Sequence, residues 1–383
     1  MTDLQTDLAC IDAAALMPIV RAVLNDPSAK NTDWRFHAYG HSLDDVYGLA
    51  GSIFRFAGTA QRGDRVTPWA AVFKIVRGAA TPDDPASPDN GAREREAYRS
   101  GILSTLSGVR APRCYGVTSL PSGAYGLWLE EVVEDLGHQW PAERYVLAAR
   151  HLARFNGASL AGPNAPAFDW LSRSPLREVV REMAAGVRRL NDAQDHAIVG
   201  AVFSPEARAT LLELLDRIEP WLDRLDQLPQ ALCHWDAHRA NLISRTGANG
   251  EPETVVLDWA ALGWGPLGAE LSKILSQTVN FFGVTPEALP ALDRAMFVAY
   301  LDGLRDTGWR GDEAAVRFGH TAASSARLIV RVASALDLAF NDRARAAYER
   351  SAGVPFAAIA AKFRATLPYY LALVDEAARL ESV

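Results

Sequence analysis

The first third of the chain alternates short apolar runs with turn-forming residues. Apolar positions at helical spacing over residues 11–24 predict a leading amphipathic helix that contains Pro18. A second helix is predicted over residues 92–106, beside a loop rich in Pro, Asp, Ala and Gly at 78–91. The strand-like runs of this region are 34–38, 52–56, 69–76, 113–118 and 126–131. The pattern predicts a β-rich lobe over residues 1–130.

After Asp135 the apolar positions change to helical spacing. Helices are predicted over 141–160, 175–196 and 205–225, and again from Leu267 to the end of the chain. Residues 231–262 interrupt this pattern with two apolar runs around a turn at 245–253. Strands grouped before helices favour an α+β fold over a parallel βαβ protein, here with a helical lobe over 131–383. A cleft between two lobes is a natural ligand site.

Composition excludes several classes of function. The chain has 383 residues and a formal net charge of −7, which argues against a dedicated nucleic-acid binder. It contains no long uncharged apolar window, and its first ten residues lack the basic and apolar regions of a signal peptide. Three scattered cysteines are too few for a disulfide framework or a cysteine zinc site. We therefore expect a cytoplasmic protein with no membrane partner.

Lysine is scarce in this chain. Among 39 basic residues the lysines are Lys30, Lys74, Lys273 and Lys362. Lys74 lies inside an apolar predicted strand, where it could extend to the strand edge and keep its ammonium group in water. Because arginine is used almost everywhere else, the retained lysine favours a specific role in binding phosphate.

The densest group of reactive side chains lies between residues 231 and 258. His234, Asp236 and Asn241 form the pattern HxDxxxxN, and Asp258 ends the apolar run that follows. Phosphoryl transfer needs a carboxylate near the acceptor hydroxyl and hard oxygen ligands that hold Mg²⁺ against nucleotide phosphates. Asp236 suits the first task, and Asn241 and Asp258 suit the second. Alternatively, Asp236 could cap a turn, Asn241 could be an ordinary residue at the end of a loop, and Asp258 could cap a following helix.

The histidines of this segment suggest a zinc alternative. His234 and His238 are four residues apart, like the histidines of HExxH, but Trp235 replaces the glutamate and the context is strand then loop. The spacing therefore does not favour a zinc protease. We expect His234 to shape the loop. His238 could touch a phosphate or the acceptor, but we expect it to pack within the loop.

The order of these motifs resembles the aminoglycoside phosphotransferase and choline kinase-like group of small-molecule kinases. That resemblance implies a protein-kinase-like two-lobed fold and the use of ATP and Mg²⁺. It makes Lys74 the lysine that holds the nucleotide phosphates. It makes Glu94, which lies on a more apolar helix face than Glu96, the partner of this lysine.

The same resemblance places two nucleotide-binding segments in the first lobe. The segment 48–52 occupies the position of the phosphate-covering loop, with Gly51 and Ser52 as candidate contacts. Residues 128–132 resemble the hinge, where the backbone of Glu130 and Val132 would bind adenine.

The resemblance implies a kinase that moves the γ-phosphate of ATP to a hydroxyl of a small molecule. A catalytically inactive nucleotide-binding module is the alternative, which the presence of Lys74, Asp236 and Asp258 disfavours. The departures from the group's pattern are Trp235, where Gly is usual, the pair at 239–240, and Glu270, where Asp is usual. Acceptor identity and oligomeric state stay open.

Overall fold

A computed structural model describes residues 3–38, 52–77, 84–87, 90–162, 165–193, 196–276 and 278–381. It shows the α+β, protein-kinase-like fold that the sequence predicts, with a sheet-containing first lobe and a helical second lobe. Gly48 and Gly51 of the expected phosphate loop lie outside the described residues. Among the described residues, no helix combines the length and apolar character needed to cross a membrane.

The first lobe is built on a five-stranded antiparallel sheet in the order β1-β2-β3-β5-β4. The strands are β1 Lys30–Ala38, β2 Ser52–Arg62, β3 Arg65–Val76, β4 Cys114–Ser119 and β5 Tyr125–Leu129. The helices are α1 Asp3–Ala9, α2 Ala13–Leu24 and α3 Arg93–Arg99. Helix α2 is the predicted leading helix, and Asp12 caps it by accepting a hydrogen bond from the Ala15 N–H.

One helix of this lobe is shorter than its pattern predicts. The prediction extended from 92 to 106, but α3 ends at Arg99 and a separate 3₁₀ turn spans Ile102–Ser104. Gly101 lies between them with φ of 79°, a left-handed conformation that ends an α-helix and that glycine adopts readily. The apolar spacing continues across the break, so periodicity alone did not reveal it.

The second lobe packs helices around short strands. Its helices are α4 Ala142–Ala158, α5 Pro175–Arg188, α6 Ala197–Val202, α7 Pro205–Gln227, α8 Leu271–Ile274, α9 Thr278–Phe281, α10 Leu289–Asp306, α11 Glu313–Phe340, α12 Asp342–Ala352 and α13 Phe356–Glu381. Its strands are β6 Ser172–Arg173, β7 Gln230–Cys233, β8 Leu242–Thr246, β9 Pro252–Val256 and β10 Gly263–Pro266. Strand β10 pairs with β6 and β7, and β8 with β9 in the predicted hairpin.

These short strands position the residues of the predicted motif. The segment 234–241 connects β7 to β8, and Asp258 follows β9 by two residues. The Leu257 N–H donates to the Asn241 carbonyl over 2.8 Å, so the end of the loop and the residue before Asp258 are held together. Two residues far apart in the chain therefore meet at one edge of the hairpin.

Gly268 joins this region to the long helix α11. Its φ is 91°, and a Cβ atom there would lie 2.2 Å from the Val316 carbonyl oxygen. Only a residue without a side chain allows the segment after β10 to approach the first turn of α11 so closely.

A Gly268→Ala substitution should therefore destabilise the fold more than Gly308→Ala. Gly308 has a φ of 90° but no atom within 4 Å of its Cβ position. Left-handed strain costs about 1–2 kcal/mol in both variants, and the clash adds a further ~1–3 kcal/mol at Gly268 alone. Urea denaturation of both variants measures the difference. Equal losses of unfolding free energy would contradict the close approach.

Candidate active site

Lys74 lies at the centre of the candidate site. It projects from β3 between the buried residues Phe73 and Ile75, opposite Leu127 on β5. Its Nζ atom is 2.7 Å from Glu94 Oε2 and 3.0 Å from Asp258 Oδ1. The lysine side chain is 14% exposed, and that of Glu94 is 1% exposed. One cation therefore connects a strand and a helix of the first lobe with a turn of the second.

The structure places Glu94 rather than Glu96 against Lys74. Glu94 is on the buried side of α3, whereas Glu96 accepts a hydrogen bond from its neighbour Arg95 over 2.8 Å. The adjacent Arg93 is fully buried and donates to the Trp170 carbonyl over 2.8 Å and to the Ala260 carbonyl over 3.1 Å. Arg93 thus fixes α3 to the second lobe and holds Glu94 in place.

The charges of this cluster depend on one another. Burial lowers the pKa of Lys74, but the carboxylates of Asp258 and Glu94 outweigh it, and the net pKa lies above its ordinary value. Burial raises the pKa of Glu94, and Lys74 opposes that rise. The ammonium group stays charged at neutral pH.

Asp258 occupies an unusual backbone conformation. Its φ is 59°, in the left-handed region, and a 3₁₀ turn over Trp259–Ala261 follows it. The Trp259 N–H donates to Glu94 Oε1 over 3.4 Å, and the buried Trp259 ring packs edge-on against His234 and Phe155. These contacts hold the turn, while the Asp258 side chain remains 40% exposed and faces Lys74.

Asp236 and Asn241 meet within the loop between β7 and β8. The Asn241 side-chain amide donates to Asp236 Oδ2 over 2.8 Å and to the Asp236 backbone carbonyl over 3.0 Å. Because its nitrogen faces Asp236, the Oδ1 atom of Asn241 faces the other way. The amide therefore fixes the carboxylate and leaves an oxygen that can bind a metal ion.

Two further side chains contact Asp236. Lys273 of α8 places its Nζ atom 2.7 Å from Asp236 Oδ1, and His238 places Nε2 3.5 Å from Oδ2. Burial raises the pKa of Asp236, but Lys273 and His238 outweigh it, so the pKa lies well below its ordinary value. Sequence reasoning assigned no role to Lys273. The scarcity of lysine, which pointed to Lys74, was also the signal for this residue.

His234 shapes the loop, as expected. Its Nε2 atom hydrogen-bonds the Leu257 carbonyl over 2.9 Å, and its Nδ1 accepts from the Asp236 N–H over 3.2 Å. Burial lowers its pKa to about 4, so the ring is neutral at pH 7. A neutral ring with one donor and one acceptor matches both bonds. The second histidine of the loop, His238, accepts a hydrogen bond from the Ala240 N–H over 3.2 Å and so stabilises a turn of the same loop.

Glu270 holds the start of the loop from below. It is fully buried and accepts hydrogen bonds from the N–H groups of His234 and Trp235, over 2.7 and 3.1 Å. Trp235 has a φ of 64°, the left-handed conformation that glycine favours. Its indole N–H donates to the Trp264 carbonyl over 3.1 Å, and the Arg327 guanidinium lies over its ring. These contacts offset the strain of a bulky residue in this position.

The predicted hinge is only partly open to a ligand. The Glu130 N–H donates to the Arg113 carbonyl over 2.8 Å, and its carboxylate binds Arg110 and Arg245 over 2.6 and 3.0 Å. Within the described residues, no hydrogen bond is found for the backbone of Val132. The side chain of Glu130 thus has a structural task, and the amide of Val132 is the one of the two that is available.

Ser52 begins β2, across from Ile75.

Comparison with known proteins identifies the family of the chain. The pattern of the APH phosphotransferase enzyme family matches residues 62–315, which is more than half of the sequence. The chain belongs to this phosphotransferase enzyme family. Membership supports a small-molecule phosphotransferase and agrees with the resemblance drawn from the motifs. None of the curated proteins matches the chain in sequence.

Several solved structures are similar to the chain. Choline kinase from Cryptosporidium parvum Iowa II is similar with a TM-score of 0.52 and 12% identity, covering 97% of both chains. Plasmodium vivax ethanolamine kinase has a TM-score of 0.48 and 11% identity, covering 89% of this chain and 83% of its own. An aminoglycoside phosphotransferase from Alicyclobacillus acidocaldarius has a TM-score of 0.48 and 13% identity, covering 91% of this chain and 93% of its own. At 12% identity the likeness to choline kinase concerns the fold alone.

The buried carboxyl of Glu270 should make stability depend on pH. Burial raises its pKa from 4.5 to about 7, so the folded state binds a proton more tightly than the unfolded state. The contribution of the protonated Glu270 carboxyl to the unfolding free energy is complete below pH 4.5 and is lost as the pH rises through 7. The unfolding free energy of Glu270→Gln minus that of the wild type should therefore increase from pH 4.5 to pH 8, by on the order of 3 kcal/mol.

Denaturant titrations at both pH values measure this change. Glu96→Gln, which removes a half-buried carboxylate from α3, is the control and should follow the wild type. If the unfolding free energy of Glu270→Gln changed with pH in the same way as that of the wild type, burial would not raise the pKa of this carboxyl.

Proposed function

We propose that the protein is an ATP- and Mg²⁺-dependent kinase that phosphorylates a hydroxyl group of a small molecule. The observation that carries this proposal is the meeting of Lys74, Asp258, Asn241 and Asp236 along one line of contacts. Lys74 contacts Asp258, the N–H of the residue before Asp258 donates to the Asn241 carbonyl, and the Asn241 side chain bonds Asp236. This order matches the path of a phosphoryl group from nucleotide to acceptor.

The candidate metal ligands suit magnesium. Mg²⁺ in nucleotide sites is held by one or two carboxylates together with phosphate oxygens and water. The exposed carboxylate of Asp258 and the outward Oδ1 of Asn241 supply such a set. Within the described part of the chain, no group of three or more His, Cys, Asp or Glu side chains could hold a metal without the nucleotide. The metal, when bound, neutralises charge that develops on the phosphates.

Each remaining residue has a defined task in the proposed step. Lys74, fixed by Glu94, binds phosphate oxygens of ATP. Asp236 accepts a hydrogen bond from the acceptor hydroxyl and orients its oxygen toward the γ-phosphorus. As the oxygen–phosphorus bond forms, the bond to the β–γ bridging oxygen breaks, ADP leaves, and the hydroxyl proton passes to Asp236. Positioning and charge stabilisation supply most of the rate.

The other expected nucleotide contacts remain part of the proposal. Gly51 and Ser52 would cover the phosphates, and backbone groups of Glu130 and Val132 would bind adenine. The available amide of Val132 supports this, while the amide of Glu130 is already bonded. The net charge of −7 and the three free cysteines support a cytoplasmic enzyme without a nucleic-acid partner.

Replacing Asp236 with Asn should lower kcat by roughly 100- to 10,000-fold, because the amide cannot accept the hydroxyl proton. Binding of a non-hydrolysable ATP analogue with Mg²⁺, measured by calorimetry, should stay within about threefold of wild type. ADP release across a broad panel of hydroxyl compounds provides the rate. Undiminished turnover in this variant would reject the mechanism.

Replacing Lys74 with Met should weaken ATP binding by about tenfold or more, because a charge-assisted bond to phosphate is lost. Lys30→Met, which removes an exposed lysine at the start of β1, is the matched control and should bind ATP normally. Equal affinity in both variants would show that the Lys74 ammonium does not contact the nucleotide.

A further inference from the structure

Lys273 is the lysine that contacts the proposed catalytic carboxylate. Its Nζ atom lies 2.7 Å from Asp236 Oδ1, while Asn241 and His238 contact the other oxygen, Oδ2, over 2.8 and 3.5 Å. The Lys273 side chain is 20% exposed and that of Asp236 is 34% exposed. Within the part of the chain that the structure describes, Asp236 is the single polar partner of this ammonium group. Because an ammonium group has three N–H donors, two remain for a ligand.

Other residues already hold α8 against the loop. Glu270, just before α8, is fully buried and accepts hydrogen bonds from the N–H groups of Trp235 and the residue before it. Arg327 of α11 donates to the Trp235 carbonyl and to Ser272 Oγ, over 2.9 Å in each case. These contacts fix the position of α8 without the side chain of Lys273. The ammonium group is therefore placed beside Asp236 by a rigid support, and the loop does not need it as a tie.

Carboxylates outnumber ammonium groups among the residues of the proposed site. Lys74 contacts two of them, Glu94 and Asp258, and Asp258 is 40% exposed. The third carboxylate, Asp236, would stand next to the γ-phosphate, so two anionic groups would face each other at the point of transfer. Lys273 contacts this third carboxylate and supplies positive charge there. A cation in this position offsets the repulsion between Asp236 and the triphosphate.

The same ammonium group lies within reach of the transferred group. A hydrogen bond would place the acceptor oxygen about 2.7 Å from Asp236, and Lys273 is 2.7 Å from the same carboxylate. In a loose transition state the charge of the transferred group is spread over its three equatorial oxygens, which stand next to the attacking oxygen. Lysine binds phosphate as a point charge, and the chain retains lysine here although arginine is its usual basic residue.

We propose that Lys273 is a second phosphate-binding lysine, which contacts the transferred γ-phosphoryl group while Asp236 orients the acceptor hydroxyl. This inference rests on the kinase function proposed above. Lys74 serves the phosphates that ADP keeps, whereas Lys273 serves the phosphate that is transferred. During the step the phosphoryl group leaves the β–γ bridging oxygen and bonds the acceptor oxygen. The hydroxyl proton passes to Asp236, and Lys273 keeps its own protons.

Nucleotides with and without the γ-phosphate test the proposal. Calorimetry with saturating Mg²⁺ gives the affinities of ADP and of a non-hydrolysable ATP analogue for each variant. Lys273→Gln should weaken binding of the ATP analogue by about tenfold and binding of ADP by less than about threefold, because ADP lacks the phosphate that Lys273 contacts. Lys74→Met, in contrast, should weaken binding of both nucleotides.

A second background separates direct contact from neutralisation of Asp236. In Asp236→Asn the carboxylate charge is absent, so a lysine that merely neutralises it has nothing left to offset. Lys273→Gln should still weaken the ATP analogue by about tenfold in this background, because the contact with the γ-phosphate is lost in both.

Three further measurements serve as controls. Lys273→Arg keeps a cation and should bind the ATP analogue more tightly than Lys273→Gln does. Lys30→Gln, at an exposed lysine that begins β1, should leave both affinities unchanged. Urea denaturation establishes that each variant is folded. With an acceptor from the broad panel, Lys273→Gln should also lower kcat by roughly 100-fold or more, because charge stabilisation in the transition state is lost.

Several results would overturn the proposal. An equal loss of affinity for ADP and the ATP analogue in Lys273→Gln, or no loss for either, would show that Lys273 does not contact the γ-phosphate. A loss that disappears in the Asp236→Asn background would show that Lys273 acts through Asp236 alone. Each of these results leaves the kinase function standing. Failure of the wild type to bind either nucleotide with Mg²⁺ would reject the kinase function together with the proposal.

Discussion

A single buried ammonium group organises the candidate site. Lys74 contacts Glu94 on its own lobe and Asp258 on the other, over 2.7 and 3.0 Å. Two carboxylates this close would repel each other without the cation between them. Because the residue before Asp258 also donates a hydrogen bond to the Asn241 carbonyl, the position of one lysine determines where the proposed metal ligands stand. The proposed nucleotide site and the contact between the lobes therefore share Lys74 and Asp258.

The loop that carries Asp236 is supported from beneath by a second buried ionisable side chain. Glu270 binds two successive backbone N–H groups, which fixes the turn before Asp236 and allows Trp235 its left-handed conformation. Gly265 permits this arrangement, since a Cβ atom there would lie 2.3 Å from the Trp235 ring. Trp235 and Glu270, both departures from the usual pattern, thus belong to one packed unit around the loop. The unit leaves Asp236, Asn241 and Lys273 facing the cleft.

Much of the site could be predicted from local patterns. Asp236, Asn241 and Asp258 follow short strands at fixed spacing, and strand ends place their side chains reliably. Lys273 was missed because its contact with Asp236 depends on how α8 packs beneath the loop, which no local spacing encodes. The end of α3 was misplaced for a different reason, because Gly101 breaks the helix while the apolar pattern continues. The predicted roles of Gly51, Ser52, Glu130 and Val132 stay predictions.

The proposed function requires one crevice to bind a triphosphate and its cation together. A crystal structure with Mg²⁺ and a non-hydrolysable ATP analogue tests it most directly. We predict that the metal contacts Asp258 and Asn241 Oδ1. Lys74 should bind a phosphate oxygen and keep its ion pair with Glu94, and Asp236 should face the γ-phosphate. A triphosphate bound away from Lys74, or a metal held by other side chains, would contradict it.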